Sequence, residues 1–215
     1  SKLNVQSYSM YDSKKSGGVT RSFLRFDNEQ INKPYLIDNA DIVVCNNSSF
    51  LFKYDIAKNI KQNGILLLNS KCKTSSDLQE YLPANLLKQL AQKQVLVYSI
   101  NANEIAENCG IKNKISVIMQ TAYFGISNFV DFKLAKQKTI EKLKISLANK
   151  GEDIINSNIN AIEKVTENLC KIKSKKSWLN LKTESDTTQN NYINTVLNLK
   201  GNELPVSAVN PYGKA

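Results

Sequence analysis

Five short segments carry strand patterning. Residues 5–11 alternate between larger side chains and hydroxyls, and residues 22–26 repeat that pattern after a glycine pair. Asp41-Ile42-Val43-Val44-Cys45 and Ile65–Leu68 are continuous apolar runs, the pattern of strands buried on both faces, and residues 95–100 form a further strand. Helical stretches lie between them. Ser48 or Ser49 suits the N-cap of a helix running through Ile60 and ended by Asn63-Gly64. Ser75-Ser76-Asp77 starts another, Pro83 opens the next, and residues 103–109 form one that Gly110 stops. Strand and helix alternating in short units predict an α/β domain, with a parallel or mixed sheet and covering helices.

From Ile115 onward the character is helical. Two long helices are predicted near 133–148 and 152–172. In the second, Ile155, Ile159, Ile162, Val165, Leu169 and Ile172 step by three or four residues, giving an apolar stripe over about six turns. That stripe suits packing on the sheet or on the neighbouring helix Leu134–Leu147. Lys173-Ser174-Lys175-Lys176-Ser177 and the polar stretch 182–191 then have little core-forming power, so an extended polar arm is expected, anchored by Trp178 and Tyr192. The resulting division is a domain over 1–172 and a linker or arm over 173–215.

Composition narrows the chemistry. The 215 residues are 41% hydrophobic, enough to bury a core. Net charge is +10, yet of 29 basic residues only Arg21 and Arg25 are arginine. The lysines are spread along the chain, without the clustered arginines and interleaved aromatics of a nucleic-acid surface, so nucleic acid is not an expected partner. Cys45, Cys72, Cys109 and Cys170 include no CxxC pair, and histidine is absent. Zinc and iron–sulfur sites need closely spaced thiolates or imidazoles, so no metal site is expected, and reduced, mostly buried thiols are. No apolar run approaches the ~18 residues of a membrane helix, and the start Ser1-Lys2-Leu3-Asn4 lacks the apolar core of a signal peptide. An intracellular location is expected.

Tyr11-Asp12-Ser13-Lys14-Lys15-Ser16-Gly17-Gly18-Val19-Thr20-Arg21 holds the densest chemistry of the chain. Two lysines supply charge, and a glycine pair lets backbone N–H groups approach an anion closely. This suits a phosphorylated ligand. An exposed basic hairpin is the alternative reading.

The same stretch, with Val5-Gln6-Ser7-Tyr8 before it and Leu24-Arg25-Phe26 after it, resembles the gamma domain of the pyruvate:ferredoxin (flavodoxin) oxidoreductases, a middle segment of a much longer chain. The resemblance continues in order through Ala40–Asn46, Leu67–Ser70, Ile118–Phe124, Lys150-Gly151-Glu152 and Leu204–Ala208. It implies a coenzyme A contact at Lys14, Lys15, Ser16, Gly17 and Gly18, with Asn46 and Asn158 as further candidates. An exposed helix face is the alternative place for Asn158. Thiamine diphosphate and 4Fe-4S clusters would lie in partner domains or subunits, and ferredoxin or flavodoxin (NADP in some relatives) would take the electrons. No catalytic residue is assigned to this chain.

Two departures stand against the family pattern. Phe23 replaces a usual histidine, and Asn46-Asn47 replaces a His-Gln-type pair. A glycine-rich βα unit that precedes the matching region in the family is not matched here. Two alternatives remain: a family-derived scaffold without activity, and the same module in a flavoprotein subunit of sulfite reductase. The implied compartment is cytoplasm or a mitochondrion-related organelle.

Overall fold

The computed structural model describes residues 3–12 and 18–182, in two compact units, Ser1–Asn39 and Ala40–Ala215. Lys14, Lys15, Ser16, Gly17 and Tyr192, all singled out from the sequence, lie outside the described residues.

The first unit is a hairpin. β1 (Asn4–Tyr11) pairs antiparallel with β2 (Thr20–Asp27), in a register running from Asn4 opposite Asp27 to Tyr11 opposite Thr20. The two strands form their own two-stranded sheet, which corrects the expectation that 5–11 and 22–26 join the main one. The reason is visible in their alternation. Serines, a threonine, glutamine and arginines are spread over both faces, whereas a central strand of a parallel sheet must be apolar on both. Arg25 ties the following segment to this ladder. Its guanidinium donates to Gln6 Oε1 (2.9 Å) and to the Tyr35 carbonyl (2.5 Å), and it stacks 5.0 Å from the centre of the Tyr35 ring.

The second unit holds a four-stranded sheet in the order β3-β4-β5-β6. β3 (Ala40–Cys45), β4 (Ile60–Asn69) and β5 (Leu96–Ile100) are parallel, and β6 (Cys170–Lys173) runs antiparallel along β5. Leu66, Leu67 and Leu68 of β4 are all 0% exposed, as the continuous apolar run requires. Leu66 and Leu68 face a core made with α2 (Ser75–Tyr81), α3 (Ala84–Gln92) and Trp178. Leu67 faces the opposite core, built with α4 (Ala102–Asn108), α5 (Ser116–Ile126), α7 (Glu152–Glu163) and α8 (Val165–Asn168). α6 (Phe132–Ser146) packs outside, against α5 and α7. The unit is thus a sheet covered by helices on both faces, the predicted α/β class.

Three local expectations are corrected. The helix expected through Ile60 is only α1 (Phe50–Lys53), because Ile60 already belongs to β4. The carbonyls of Ala57, Lys58 and Ile60 each lie 2.8 Å from Lys93 Nζ, where a continued helix would direct them along its axis. Asn63-Gly64 is not a helix stop. It sits inside β4, where Ala40 pairs with Ile60 but Ile42 pairs with Ile65, so the residues between bulge outward. Asn63 takes φ +58°, and a Cβ on Gly64 would lie 2.6 Å from Ile60 Cγ2 and 2.9 Å from the Lys61 carbonyl. Finally, the helix expected over 152–172 ends at Glu163. Ile172 continues its periodicity but also fits the alternation Lys171-Ile172-Lys173, and the open edge of β5 claims it.

The chain remains structured past β6. A 3-10 turn, Lys176–Asn180, buries Trp178 completely, and its indole N–H donates to Gln79 Oε1 (3.1 Å).

Candidate functional site

The predicted anion loop falls in sequence between β1 and β2. Its neck is closed by Asp12 N–H donating to the Val19 carbonyl (3.3 Å), one step beyond the Tyr11–Thr20 pair. A hydroxyl pair, Ser9 Oγ and Ser22 Oγ at 3.1 Å, links the strands below it. Of the five loop residues, the structure places Gly18. A Cβ there would fall 2.7 Å from Asp12 Cβ and 3.1 Å from Oδ2. Real side chains do not approach that closely, so glycine at this position lets the two strands close under the loop.

Asn46 and Asn158 belong to the second unit. Asn46 follows the last residue of β3, with its side chain exposed, at the carboxyl end of a parallel sheet where ligands of α/β folds are usually held. Its carbonyl accepts from Asn69 Nδ2 (3.0 Å). Asn158 is 5% exposed and donates through Nδ2 to the Ile154 carbonyl (2.7 Å), within α7. The exposed-face alternative for Asn158 is therefore corrected: residue 158 turns inward with Ala161 and Ile162, on the apolar side of the helix.

Around Asn46 the carboxyl end of the sheet is tied by a polar lock that the sequence reading missed. Asn69, at the end of β4, donates to Asn46 O and accepts from Ala102 N–H (3.0 Å), joining the ends of all three parallel strands. Beside it Ser70 Oγ and Ser99 Oγ are 2.8 Å apart and buried, and Ser99 Oγ also donates to the Ser70 carbonyl (3.1 Å). The available signal was a polar pair, Asn69-Ser70, closing an apolar run that is buried on both faces. Asn47 is used locally: its carbonyl accepts from the Cys45 thiol (3.2 Å), and its Oδ1 accepts from Ser49 N–H (3.0 Å) ahead of α1. Burial pushes the Cys45 thiol up to about 11, so it is held as a neutral thiol.

The four cysteines are unpaired. Cys45 and Cys72 are buried, and Cys109 and Cys170 are half-buried. Among the described residues no three His, Cys, Asp or Glu side chains converge as a metal site would need. None of the described helices is long and apolar enough to cross a membrane.

Comparison with known proteins agrees with the family resemblance. Residues 1–167 match the model of the family "Pyruvate ferredoxin/flavodoxin oxidoreductase". The chain is 39% identical over 218 residues to a pyruvate:ferredoxin oxidoreductase of Moorella thermoacetica, covering 98% of this chain and 18% of that protein. It is 33% identical over 213 residues to a pyruvate-flavodoxin oxidoreductase of Klebsiella pneumoniae, covering 96% of this chain and again 18% of the relative. Against an NADP-dependent pyruvate dehydrogenase of Cryptosporidium parvum the figures are 31% over 244 residues, 98% and 13%. Among solved structures, pyruvate oxidoreductase subunit PORC of Thermotoga maritima superposes with a TM-score of 0.58 at 18% identity, over 79% of this chain and 82% of that one, a likeness of fold. The chain thus spans less than a fifth of the length of these long relatives. It belongs to the pyruvate ferredoxin/flavodoxin oxidoreductase family.

Proposed function

We propose that this chain is the gamma-type segment of a pyruvate oxidoreductase and that its hairpin loop contacts coenzyme A during conversion of pyruvate to acetyl-CoA. The supporting observation is the hairpin itself. A ladder closed at Asp12–Val19 flanks in sequence the run Lys14-Lys15-Ser16-Gly17-Gly18, and lysines with glycine N–H groups suit the phosphates of coenzyme A. Asn46 and Asn158 are the weaker candidates. Asn46 offers an exposed amide at a strand end, whereas the buried Asn158 is bonded within its own helix.

On this reading the chain supplies no thiamine or iron–sulfur chemistry. Thiamine diphosphate and 4Fe-4S clusters belong to the remaining domains or subunits, electrons pass through them to ferredoxin or flavodoxin, and the assembly works inside the cell. The division into 1–172 and a following arm is kept as part of the proposal, with the anchor at Trp178 counted to the folded unit.

Calorimetric titration of coenzyme A into the 215-residue chain tests the reading. The wild type should bind, and changing Lys14 and Lys15 together to alanine should weaken binding on the order of a hundredfold, from two charge-assisted contacts. Undiminished binding by the double variant would make the loop structural. No binding by the wild type would favour the scaffold reading, which the internally consumed polar groups at the carboxyl end of the sheet also suit.

A further inference from the structure

Several lysines of the sheet unit meet a carboxylate: Lys61 pairs with Asp41, Lys112 with Glu107, Lys136 with Glu163 and Lys138 with Glu141. Lys93 is held differently. It is half-buried at the C-cap of α3, and its ammonium donates to three backbone carbonyls, those of Ala57, Lys58 and Ile60, each at 2.8 Å. An ammonium has three N–H donors and no acceptor, so these contacts use it completely. Among the described residues it has no carboxylate within ion-pair distance.

The carbonyls converge because the turn before β4 is fixed by contacts of its own. Asn59, between them, directs its carbonyl the other way, to Ala40 N–H, and Ile60 N–H closes the turn on the Ala57 carbonyl (3.2 Å). Ala57 and Ile60 are 0% and 1% exposed, so core packing anchors the turn independently of the lysine. The end of α3 is tied to the same stretch through its backbone, where the Lys93 carbonyl accepts from Asn63 N–H (2.8 Å).

Carbonyl dipoles aimed at one point, with no formal negative charge, can replace the hydration shell of a large monovalent cation. The oxygens stand 2.8 Å from the charge, wider than the about 2.0–2.6 Å that Mg2+ and Ca2+ take, and those ions favour carboxylates that this cage lacks. The opening fits an ammonium group, and potassium is of nearly the same size. We propose that the turn 57–60 is a monovalent-cation site, of the size of potassium or ammonium, which the chain fills with its own Lys93 ammonium as a tethered ion. The carbonyls are the site and the lysine head is its ligand, so removing the head alone opens it to a free ion.

Lys93→Met keeps most of the stem and removes the charge. The test is denaturant unfolding of the full chain in chloride salts at equal concentration. Wild type, whose site is filled, shows only the general effect of each salt and serves as the baseline. Beyond that baseline, the folded-to-unfolded ratio of Lys93→Met should rise roughly fivefold when about 0.5 M tetramethylammonium is replaced by potassium or ammonium, the mass-action gain from an ion that binds only the folded cage. Lithium, too small to span the three oxygens, should give none of this gain. A response to potassium no larger than that of wild type, or one matched by lithium, overturns the proposal. Lys93→Ala carries the same expectation should the methionine variant fail to fold. On the wild type itself, acetic anhydride should acylate Lys93 about tenfold or more slowly than the exposed Lys133, read by peptide mass spectrometry, because the engaged amine reacts only after local opening. Equal rates at the two lysines overturn the proposal as well.

Discussion

The hairpin and the helix-covered sheet solve opposite problems. In the sheet unit three successive leucines are wholly buried, a tryptophan seals one core, and the polar groups at the strand ends are bonded to one another. In the hairpin Val5, Tyr8, Met10, Tyr11 and Leu24 are all exposed, and the ladder has two strands only. An isolated two-stranded hairpin has little independent stability in water, so apolar groups left uncovered on one are suited to contact with something else. The comparison separates a part whose apolar residues are buried within the unit from a part whose apolar residues are exposed.

Trp178→Ala should strain that contrast most. It empties a fully buried site and removes the bond to Gln79, at a cost of about 4 kcal/mol in denaturant unfolding. Tyr11→Ser, at a position 77% exposed in the hairpin, should change the same measurement by less than about 0.5 kcal/mol. Comparable losses from the two would erase the distinction between the units.

Asn69→Leu comes next. It removes both bonds of the polar lock and leaves the Ala102 N–H without its acceptor, which should cost about 2 kcal/mol. Asn69→Asp keeps that acceptor but sets a buried carboxylate oxygen against the Asn46 carbonyl, so it should cost more at neutral pH than the leucine variant. If the two variants are equally stable, the amide does not join the strand ends as described.

The smallest effect concerns the start of α2, and it depends on pH. The Asp77 carboxylate accepts from the N–H groups of Lys73 (2.8 Å) and Thr74 (2.9 Å) and from Thr74 Oγ1 (2.7 Å), which hold its pKa below the ordinary carboxylate value. A carboxylate with a depressed folded-state pKa stabilises the fold above its unfolded value of about 3.9, and that contribution fades as pH falls through the folded one. Thr74 in turn accepts from Asp77 N–H (3.2 Å), completing a capping box. Thr74→Ala should cost about 1 kcal/mol at neutral pH. The gap between variant and wild type should narrow below about pH 4, as pH falls from the unfolded value through the depressed folded-state value of Asp77. A gap that stays constant down to pH 2 would detach Asp77 from the cap.

How much was legible varied with how local the cause was. The runs at 41–45 and 65–68 announced buried strands because an unbroken apolar run suits burial on both faces, and each lies within the observed β3 or β4. The hairpin strands were recognised, but not their separation from the main sheet, because short-range alternation does not say which strand is the neighbour. Asn63-Gly64 was correctly a place where the backbone turns, yet the turn is a bulge inside β4, decided by pairing with β3 twenty residues earlier. Ile172 satisfied two periodicities at once, and only the free edge of β5 chose between them. Within the candidate site, Asn46 directly follows the apolar run 41–45 and so falls at the end of β3. The inward turn of Asn158 and the lock at Asn69 depend on neighbours far away along the chain.

By itself the sequence determined the α/β class, the family and the chemical character of the loop. Each of these resides in residue types and their order: apolar runs, collinear motifs, and lysines beside a glycine pair. Only the tertiary structure decided that the hairpin stands as its own sheet, that β6 replaces the last turns of a helix, and that Arg25 is tied to Gln6 and Tyr35. Those outcomes depend on which edge, carbonyl or ring lies within a few ångströms of a side chain, and that distance is set by folding rather than by sequence neighbours.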